Sequence, residues 1–509
     1  MLTVCLSLLC IIVSVVGILI LRSHRRYQNY WRKKGFTPYI KSVPFFGNFY
    51  SMTFKKLSIS EYITKVYNHF PEAKYTGILQ FNIPTLVLRD PELIKDVCIK
   101  NFDNFTDHRS FVPEDADPLF GRMVFFLKGT KWREMRQTLT PSFTGSKMKL
   151  MFELISKCSR DFVQYFLDHP EEANSVEMKD TFTRYATDVI ATTAFGITVN
   201  SLKDRNNEFY LRGKEAVDFN SIKRLLKIIA LGTFTKFMKF IGEPIMSRST
   251  TRFFRTIIEE TIKIRKEKNI VRPDMIHLLM TANDNEKGVK VSIEDIAAQG
   301  LIFFLAGFST SATAMGFVIH ELAVNPEIQE KLREEIDHLT EQEGEISYDT
   351  LFKMKYLDMI ISETLRKYPP NGMMDRVCVK SFTLPKSTPD SKEFETDLET
   401  VIWLPIYALH HDPQYFPDPE KFDPERFNDE NKDKINPYAY IPFGIGPRKC
   451  IGDRFALMEI KILIVHLLQN FVLEREERTK HPIEFEKSFL IIPNGDMWVK
   501  FKKRNNNAK

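Results

Sequence analysis

The chemistry of this chain gathers around one cysteine. Cys450 lies in the run Phe443-Gly444-Ile445-Gly446-Pro447-Arg448-Lys449-Cys450-Ile451-Gly452, and a helical pattern starts directly after it. The three glycines allow unusual backbone dihedrals and close approach to a flat ligand. A helix N-terminus offers free N–H groups and the positive end of a dipole, and both favour a thiolate. Arg448 and Lys449 are expected to lower the thiol pKa further and to meet an acidic group. A cysteine so placed suits a metal thiolate or a nucleophile. Zinc fits poorly, because no CxxC or HxxxH partner lies nearby. A cysteine hydrolase needs a base, and nothing local supplies one.

Three further sets of residues could carry chemistry. Glu363 and Arg366 share a helix face at i, i+3, and by itself such a pair is a surface ion pair worth ~0.2–0.5 kcal/mol. Trp132 and Arg136 stand four apart in the helical stretch KWREMR, where a Trp packed on an Arg stem is the plain expectation. Ala306-Gly307-Phe308-Ser309-Thr310 falls midway along an uncharged helix. A glycine beside hydroxyl residues there invites either close helix packing or a local distortion that admits water.

The elements that must position these residues are mostly helical. Apolar period marks helices over 145–167, 177–196, 251–268, 293–325, 326–338, 351–367 and 452–471. Strand-like runs are short: Thr85 to Leu88, Val401 to Leu404 and Phe489 to Ile492. No Gly/Ser/Pro-rich linker divides the body, so one mainly α domain with a small β part is expected over 41–505. Residues 296–320 carry no Asp, Glu, Lys or Arg. Their hydroxyl and amide residues, and their run into a charged helix from Glu321, favour a central core helix over a membrane span.

Residues 1–21 are read as a transmembrane anchor: Leu2 to Leu21 are uncharged and long enough to cross a ~30 Å hydrocarbon layer. A basic linker, 22–40, follows with Arg22, Arg25, Arg26, Arg32, Lys33 and Lys34, which keeps that flank and the body cytoplasmic. Net charge is only +6 over 509 residues, too weak to argue for nucleic acid. Six cysteines are too few for a disulfide scaffold. The 42 Phe are a marked excess and imply a large apolar interior, an apolar ligand, or both.

The segment ending at Cys450 resembles the haem-thiolate signature of the cytochrome P450 monooxygenases, FxxGxxxCxG, with the Arg two before the Cys in place. Glu363 and Arg366, with Phe422 to Phe427 (FDPERF), are similar to that family's ExxR helix and its PERF partner. The resemblance runs over nearly the whole chain. NFDNFTDHR, DPLFGRMVFFLKGTKWREMR and ALHHDPQYFPDPEKFDPERF look most like insect microsomal members of family 9, with vertebrate family 3 more distant. It implies the P450 fold and haem b, with the Cys450 thiolate as axial ligand, Phe443 near the sulfur and Arg448 at a propionate. Trp132 and Arg136, with His108 and Arg109, are implied as further propionate contacts. Glu363, Arg366 and Arg426 are implied as a buried triad that fixes the haem loop.

In the same resemblance Ala306 to Thr310 lie over the distal face of the haem, and Thr310 guides protons. Ser309 departs from the family, which has an acid there, and a relay through Ser309 and Thr310 is expected to replace it. The departure keeps a second reading open, a haem-thiolate isomerase or dehydratase that uses no O₂. A third is a non-enzymatic haem or lipophile binder.

The chain has no dinucleotide loop in a βαβ setting and no iron–sulfur cysteine cluster, so electrons must come from another protein. The resemblance implies NADPH–cytochrome P450 reductase, with cytochrome b5 as a further candidate, at the endoplasmic reticulum membrane. A basic face of Lys131, Arg133, Lys147, Lys149, Arg448, Lys449 and Arg454 suits an acidic donor. Residues 224–242 suit a helix in the membrane interface. Lipophilic substrates are expected to meet Leu305, Ala306, Thr310, Met373 and Met374, with Phe303 or Phe304 according to helix phase. On this reading the Phe excess lines a route from bilayer to iron, through Phe234, Phe237 and Phe240.

Overall fold

A helix that is apolar on every side must be covered on every side, and much of the architecture follows from that requirement. The computed structural model describes residues 17, 29–44, 46–110, 117, 119–217, 227, 238, 245–272, 274–282 and 291–504. Its longer helices, in chain order, are α1 (Ile59–Tyr67), α2 (Gly129–Leu139), α3 (Gly145–Asp168), α4 (Met178–Ile190), α5 (Glu208–Val217) and α6 (Arg248–Lys268). They continue with α7 (Met275–Ala282), α8 (Ile293–Val324), α9 (Pro326–Glu343), α10 (Lys355–Lys367) and α11 (Asp453–Asn470). The uncharged run is α8. A capping box starts it: Ser292 accepts from the Asp295 N–H while the Asp295 carboxylate accepts from the Ser292 N–H. It stops at Asn325, because Pro326 opens α9.

α8 passes through two hydrophobic cores. Its first half, Ile296 to Phe308, packs with α6, α7 and the Phe195–Phe209 region. Its second half, Ala312 to Ala323, packs with α3, α4, α10, α11 and the sheets. Among the described residues it is the one helix long and apolar enough to cross a membrane, and it is mostly buried inside the protein. Residues 1–16 and 18–28, where the anchor and the first part of the basic linker were expected, lie outside the described residues. So does the expected interfacial segment 224–242, apart from Lys227 and Met238.

The larger sheet has the order β1 (Tyr75–Gln80), β2 (Ile83–Leu88), β7 (Val401–Leu404), β4 (Met374–Val377). β2 and β7 run parallel and the other pairs antiparallel, with Met374 opposite Leu404 and Arg376 opposite Ile402. This register carries Met374 and Arg376 to the Cys450 loop. A second sheet joins β3 (Val176–Glu177), β9 (Trp498–Lys503) and β8 (Phe471–Glu474). A short ladder pairs β5 (Thr383–Leu384) with β6 (Phe394–Glu395).

The periodic segments match these helices closely, with two differences. The stretch 351–367 splits: Tyr348–Leu351 is a separate turn and α10 begins at Lys355. Phe489 to Ile492 is irregular rather than a strand; Phe489 is exposed, stacked on Phe49 at 5.7 Å, and Ile491 is buried. The segment is held by single bonds, from the Ile491 N–H to the Pro370 carbonyl at 3.1 Å and from the Glu486 N–H to the Ile492 carbonyl at 2.8 Å, rather than by a strand ladder.

The Phe excess is largely core. Phe195, Phe209, Phe254, Phe304 and Phe308 pack ring to ring at 4.9–6.3 Å. Gly213 of α5 lets two of these rings in; a Cβ there would lie 2.2 Å from Phe304. Phe304 therefore belongs to the core and does not line the cavity. Phe303 faces the other way, its ring 5.6 Å from that of Phe143.

Candidate active site

Cys450 sits on a loop whose backbone is held at both ends. Its N–H donates to the Phe443 carbonyl at 2.9 Å, and the Lys449 N–H donates to Gly446 at 2.9 Å. Gly444 and Gly446 both have φ +74°. At Gly446 a Cβ would fall 2.0 Å from the Cys98 carbonyl oxygen, so only glycine fits. Gly444 lies against Met374, whose sulfur would be 2.6 Å from a Cβ there. Gly452 then caps α11. Cys450 is exposed although protein packs around it on nearly every side, so its sulfur faces an inner cleft.

The thiol departs from expectation. Burial pushes its pKa up, and the Gly452 N–H, Arg136 and Lys449 only partly offset this. The expected strong help from Arg448 and Lys449 is spent elsewhere. Lys449 pairs with Asp453 at 2.6 Å, and Arg448 is buried in other contacts. A metal bound there would displace the thiol proton on binding.

The loop rests on a buried charge network. Glu363 and Arg366 are both fully buried and form two parallel bonds, Nε at 2.7 Å and Nη2 at 2.9 Å. Arg426 reaches the same carboxylate with Nε at 3.3 Å, and the Asp423 N–H donates to it at 3.0 Å. Arg366 also donates to the carbonyls of His410 (2.9 Å) and Pro419 (2.7 Å). The structure thus brings Glu363, Arg366 and Arg426 together.

His410, which the sequence reading passed over, completes the link to the loop. Its Nε2 accepts from the Ile441 N–H at 3.0 Å, so Nδ1 carries the proton toward the Arg366 carbonyl at 3.1 Å. Burial, with His411 and Arg366 close by, holds its pKa well below the usual range, which keeps this tautomer neutral. Tyr440 adds a bond from its hydroxyl to the Ser362 carbonyl at 2.9 Å.

On the opposite side Arg448 braces the loop. It donates to the carbonyls of Thr106 (2.7 Å) and Leu127 (2.8 Å), with longer bonds to Val124 and Phe125 at 3.4 Å. Asp107 is its carboxylate partner at 3.5 Å, and its guanidinium lies 4.0 Å over the Trp132 ring. Burial pushes its pKa down to about 9, with Asp107 opposing. Trp132 therefore packs on Arg448 rather than on Arg136, while Arg136 donates to the Lys449 carbonyl at 2.7 Å. Both residues of the α2 pair thus grip the Cys450 loop.

A second cluster adjoins it. His108 Nδ1 and the Arg109 N–H meet the two oxygens of Asp375 at 3.0 and 2.6 Å. Arg376 is fully buried and donates to the Ile445 carbonyl at 3.0 Å, yet its Nε has no partner. An unspent guanidinium donor beside the loop suits an anionic group. Arg376 gave no sequence signal.

Across from the loop, α8 is open on one face. Ala306 is exposed midway along an otherwise mostly buried helix, and Phe303, Ser309 and Thr310 are half-buried. Phe143 spans the two sides: its ring neighbours Phe303 and would lie 3.9 Å from a Cβ on Gly452. Of the two readings left open for Gly307, the distortion is absent; α8 runs unbroken there. Gly307 is instead a packing glycine, since a Cβ would come within 2.7 Å of Ile190. The Thr310 hydroxyl donates to the Ala306 carbonyl at 2.5 Å.

An inner cleft with a cysteine on one wall, a hydroxyl-bearing helix on the other and a spare buried arginine at its edge defines a haem-thiolate class of site. The residues present fit that group: glycines keep the loop thin, and Arg376 has a donor to spare for a propionate. Comparison with known proteins agrees. Residues 38–499 match the family model for cytochrome P450. Cytochrome P450 9e2 of Blattella germanica is 43% identical over 500 residues, 92% of this chain and 93% of that relative. Probable cytochrome P450 9f2 of Drosophila melanogaster is 39% identical over 500 residues, covering 94% and 96%. Cytochrome P450 6k1 of Blattella germanica is 34% identical over 516 residues, covering 97% of each. The chain belongs to the cytochrome P450 family, monooxygenases that carry haem b on a cysteine thiolate.

Proposed function

We propose that the chain is a membrane-anchored monooxygenase that inserts one oxygen atom from O₂ into lipophilic compounds, with Cys450 as the haem ligand. The observation that carries this is the exposed Cys450 on a loop tied through His410 to the Glu363–Arg366–Arg426 network, with Phe143 between that loop and Phe303 of α8. When bound there, haem supplies the redox chemistry with O₂. The chain's own residues hold and shape it. Arg376, Arg136, Trp132 and His108 would hold the propionate end, Phe443 and Gly444 would support the loop beside the group, and Ala306 leaves α8 open on one face. Thr310, with Ser309 beside it, offers the hydroxyl through which protons reach the cleft.

The lipophilic substrate class rests on the lining. Phe303, Leu305, Ala306, Met373 and Met374 provide apolar, adaptable surface with few fixed polar anchors, which suits breadth of substrate over tight selection. Plant toxins and insecticides fit this breadth, as do endogenous lipids and hormones. The assignment of residues 1–21 as anchor, 22–40 as linker and 41–505 as catalytic domain places the site on the cytoplasmic side of the endoplasmic reticulum membrane.

NADPH–cytochrome P450 reductase is the electron donor in this reading, with cytochrome b5 as an accessory. The docking face is leaner than its composition suggests. Arg448 is buried, and Arg133, Lys149 and Lys449 pair with Asp103, Asp349 and Asp453. Full-length protein reconstituted with reductase and NADPH should place one atom of ¹⁸O₂ in the product of a lipophile panel. Conversion of a compound without NADPH or O₂ would favour the isomerase reading.

A further inference from the structure

Two histidines take no part in the cleft. His320 stands in the second half of α8 and is 2% exposed. His481 stands on the loop between β8 and β9 and is open to solvent. His320 Nε2 and His481 Nδ1 face each other at 3.3 Å, while the ring centroids are 5.5 Å apart with the planes 30° from parallel. The rings therefore meet nitrogen to nitrogen and do not stack. A separation of 3.3 Å is long for a hydrogen bond. It matches the ~3.3 Å between two ligands of a tetrahedral Zn²⁺ with Zn–N bonds of about 2.0–2.1 Å.

Packing holds the two rings in this relation. Phe485, on the same loop as His481, lies against Phe317 of α8 at 6.4 Å and Tyr368 at 6.1 Å. The Asn494 N–H donates to the Glu484 carbonyl at 2.8 Å and closes the loop on itself. Glu321, next to His320, turns to Lys367 and Tyr368. His320 also lines a pocket with room for about one water, beside Lys480, Glu484, Asn494 and Asp496. Two carboxylates against one ammonium make that rim favourable to a cation. Among the described residues no set of three or more His, Cys, Asp or Glu converges. The pair is therefore an open site, completed by water, and not a closed structural one.

We propose that His320 and His481 form a binding site for a divalent cation that seeks imidazole, Zn²⁺ or Cu²⁺, which ties α8 to the loop between β8 and β9. The site is separate from the Cys450 cleft and does not depend on the monooxygenase reading. Imidazole nitrogen suits Zn²⁺ and Cu²⁺, whereas Mg²⁺ and Ca²⁺ take oxygen ligands. Binding needs a lone pair on His320 Nε2 and on His481 Nδ1. The ring that carries the proton between them passes it to its own other nitrogen, so neither ring need gain or lose a charge. A cation held by both rings binds the folded chain and not the unfolded one, and it stabilises the fold accordingly. Exposed His481 gives it a way in from solvent.

The test uses full-length, haem-loaded wild type, His481→Gln, His481→Cys and His320→Gln. Haem loading keeps Cys450 from competing for zinc. Zinc sulfate is titrated in by calorimetry, and the urea midpoint of unfolding is read with and without it. Wild type should bind one more Zn²⁺ per chain than His481→Gln, and zinc should raise its midpoint above the shift seen in that variant. His481→Cys restores a zinc ligand and should regain the site. His320→Gln should weaken zinc at this site by about ten-fold or more. Cu²⁺ should bind more tightly than Zn²⁺, and excess Mg²⁺ should not displace either. The carbon monoxide spectrum should be the same in wild type and His481→Gln, since His481 lies outside the cleft. Equal zinc binding and equal midpoint shifts in wild type and His481→Gln would overturn the proposal and leave the pair a plain hydrogen bond. Zinc binding unchanged in His320→Gln would overturn it too.

Discussion

Replacing Glu363 by Gln removes one charge and leaves the buried Arg366 and the half-buried Arg426 without their shared carboxylate. The native carboxylate accepts four bonds, from Arg366 Nε and Nη2, Arg426 Nε and the Asp423 N–H, at 2.7–3.3 Å. An amide of the same shape can accept on one oxygen only and turns its NH₂ toward an arginine. Breaking a fully buried pair in this way costs ~3–5 kcal/mol, because the surviving charge is stranded. A folded domain has only ~5–15 kcal/mol in hand, so most of the margin goes. The loss lands on the Cys450 loop, since His410 ties Arg366 to Ile441. The assay is urea unfolding followed at the haem absorbance, with haem content per chain measured before unfolding. Glu363→Gln should lose most of its haem and unfold at much lower urea. Arg426→Ala should be milder, because the Arg426 side chain is 13% exposed and donates once to the carboxylate. A Glu363→Gln protein with wild-type haem content and midpoint would refute the reasoning.

Gly446→Ala should abolish haem loading, since its Cβ meets the Cys98 carbonyl at 2.0 Å with φ at +74°, whereas Gly452→Ala should be tolerated, with Phe143 its nearest neighbour at 3.9 Å; absorbance per chain reads both. His410→Phe should destabilise by ~1–3 kcal/mol by stranding the buried Ile441 N–H, read as a lower unfolding midpoint. Glu459 has a folded pKa near 8 against a reference of 4.5, so the fold favours its neutral form. Its stability contribution is full below about pH 4.5 and falls as pH rises toward 8, by up to ~5 kcal/mol at 1.36 kcal/mol per unit. Glu459→Gln should lack that fall, so the gap between the two unfolding free energies should widen in favour of the variant from pH 5 to 8; a constant gap counts against the assignment.

What the sequence made legible was whatever depends on local pattern. α8 showed itself by twenty-five residues without charge, 296–320, and α11 by its period after Cys450. The triad was legible because Glu363, Arg366 and Arg426 stand in spaced motifs. What stayed hidden depends on tertiary partners. His410 and Arg376 act through carbonyls of Arg366 and Ile445 that are remote in sequence. Arg448, expected at a propionate, also donates to four carbonyls remote from it in sequence. Phe304 and Phe303 are adjacent letters whose roles divide only when the phase of α8 is known. Gly307 allowed either distortion or close packing, and only the position of Ile190 decides for packing. The direction of the Cys450 pKa was misjudged because desolvation is invisible in a sequence.

The central claim is that Cys450, and not another of the chain's thiols, holds the haem iron. Among the described cysteines Cys98 and Cys378 are buried and Cys158 is half-buried on α3, whereas Cys450 is exposed. The direct measurement is the carbon monoxide difference spectrum of the reduced protein, wild type beside Cys450→Ser. The wild type should give the red-shifted Soret band of a thiolate-ligated haem, and Cys450→Ser should lose it. A red-shifted band that survives in Cys450→Ser, or its absence from haem-loaded wild type, would contradict the account.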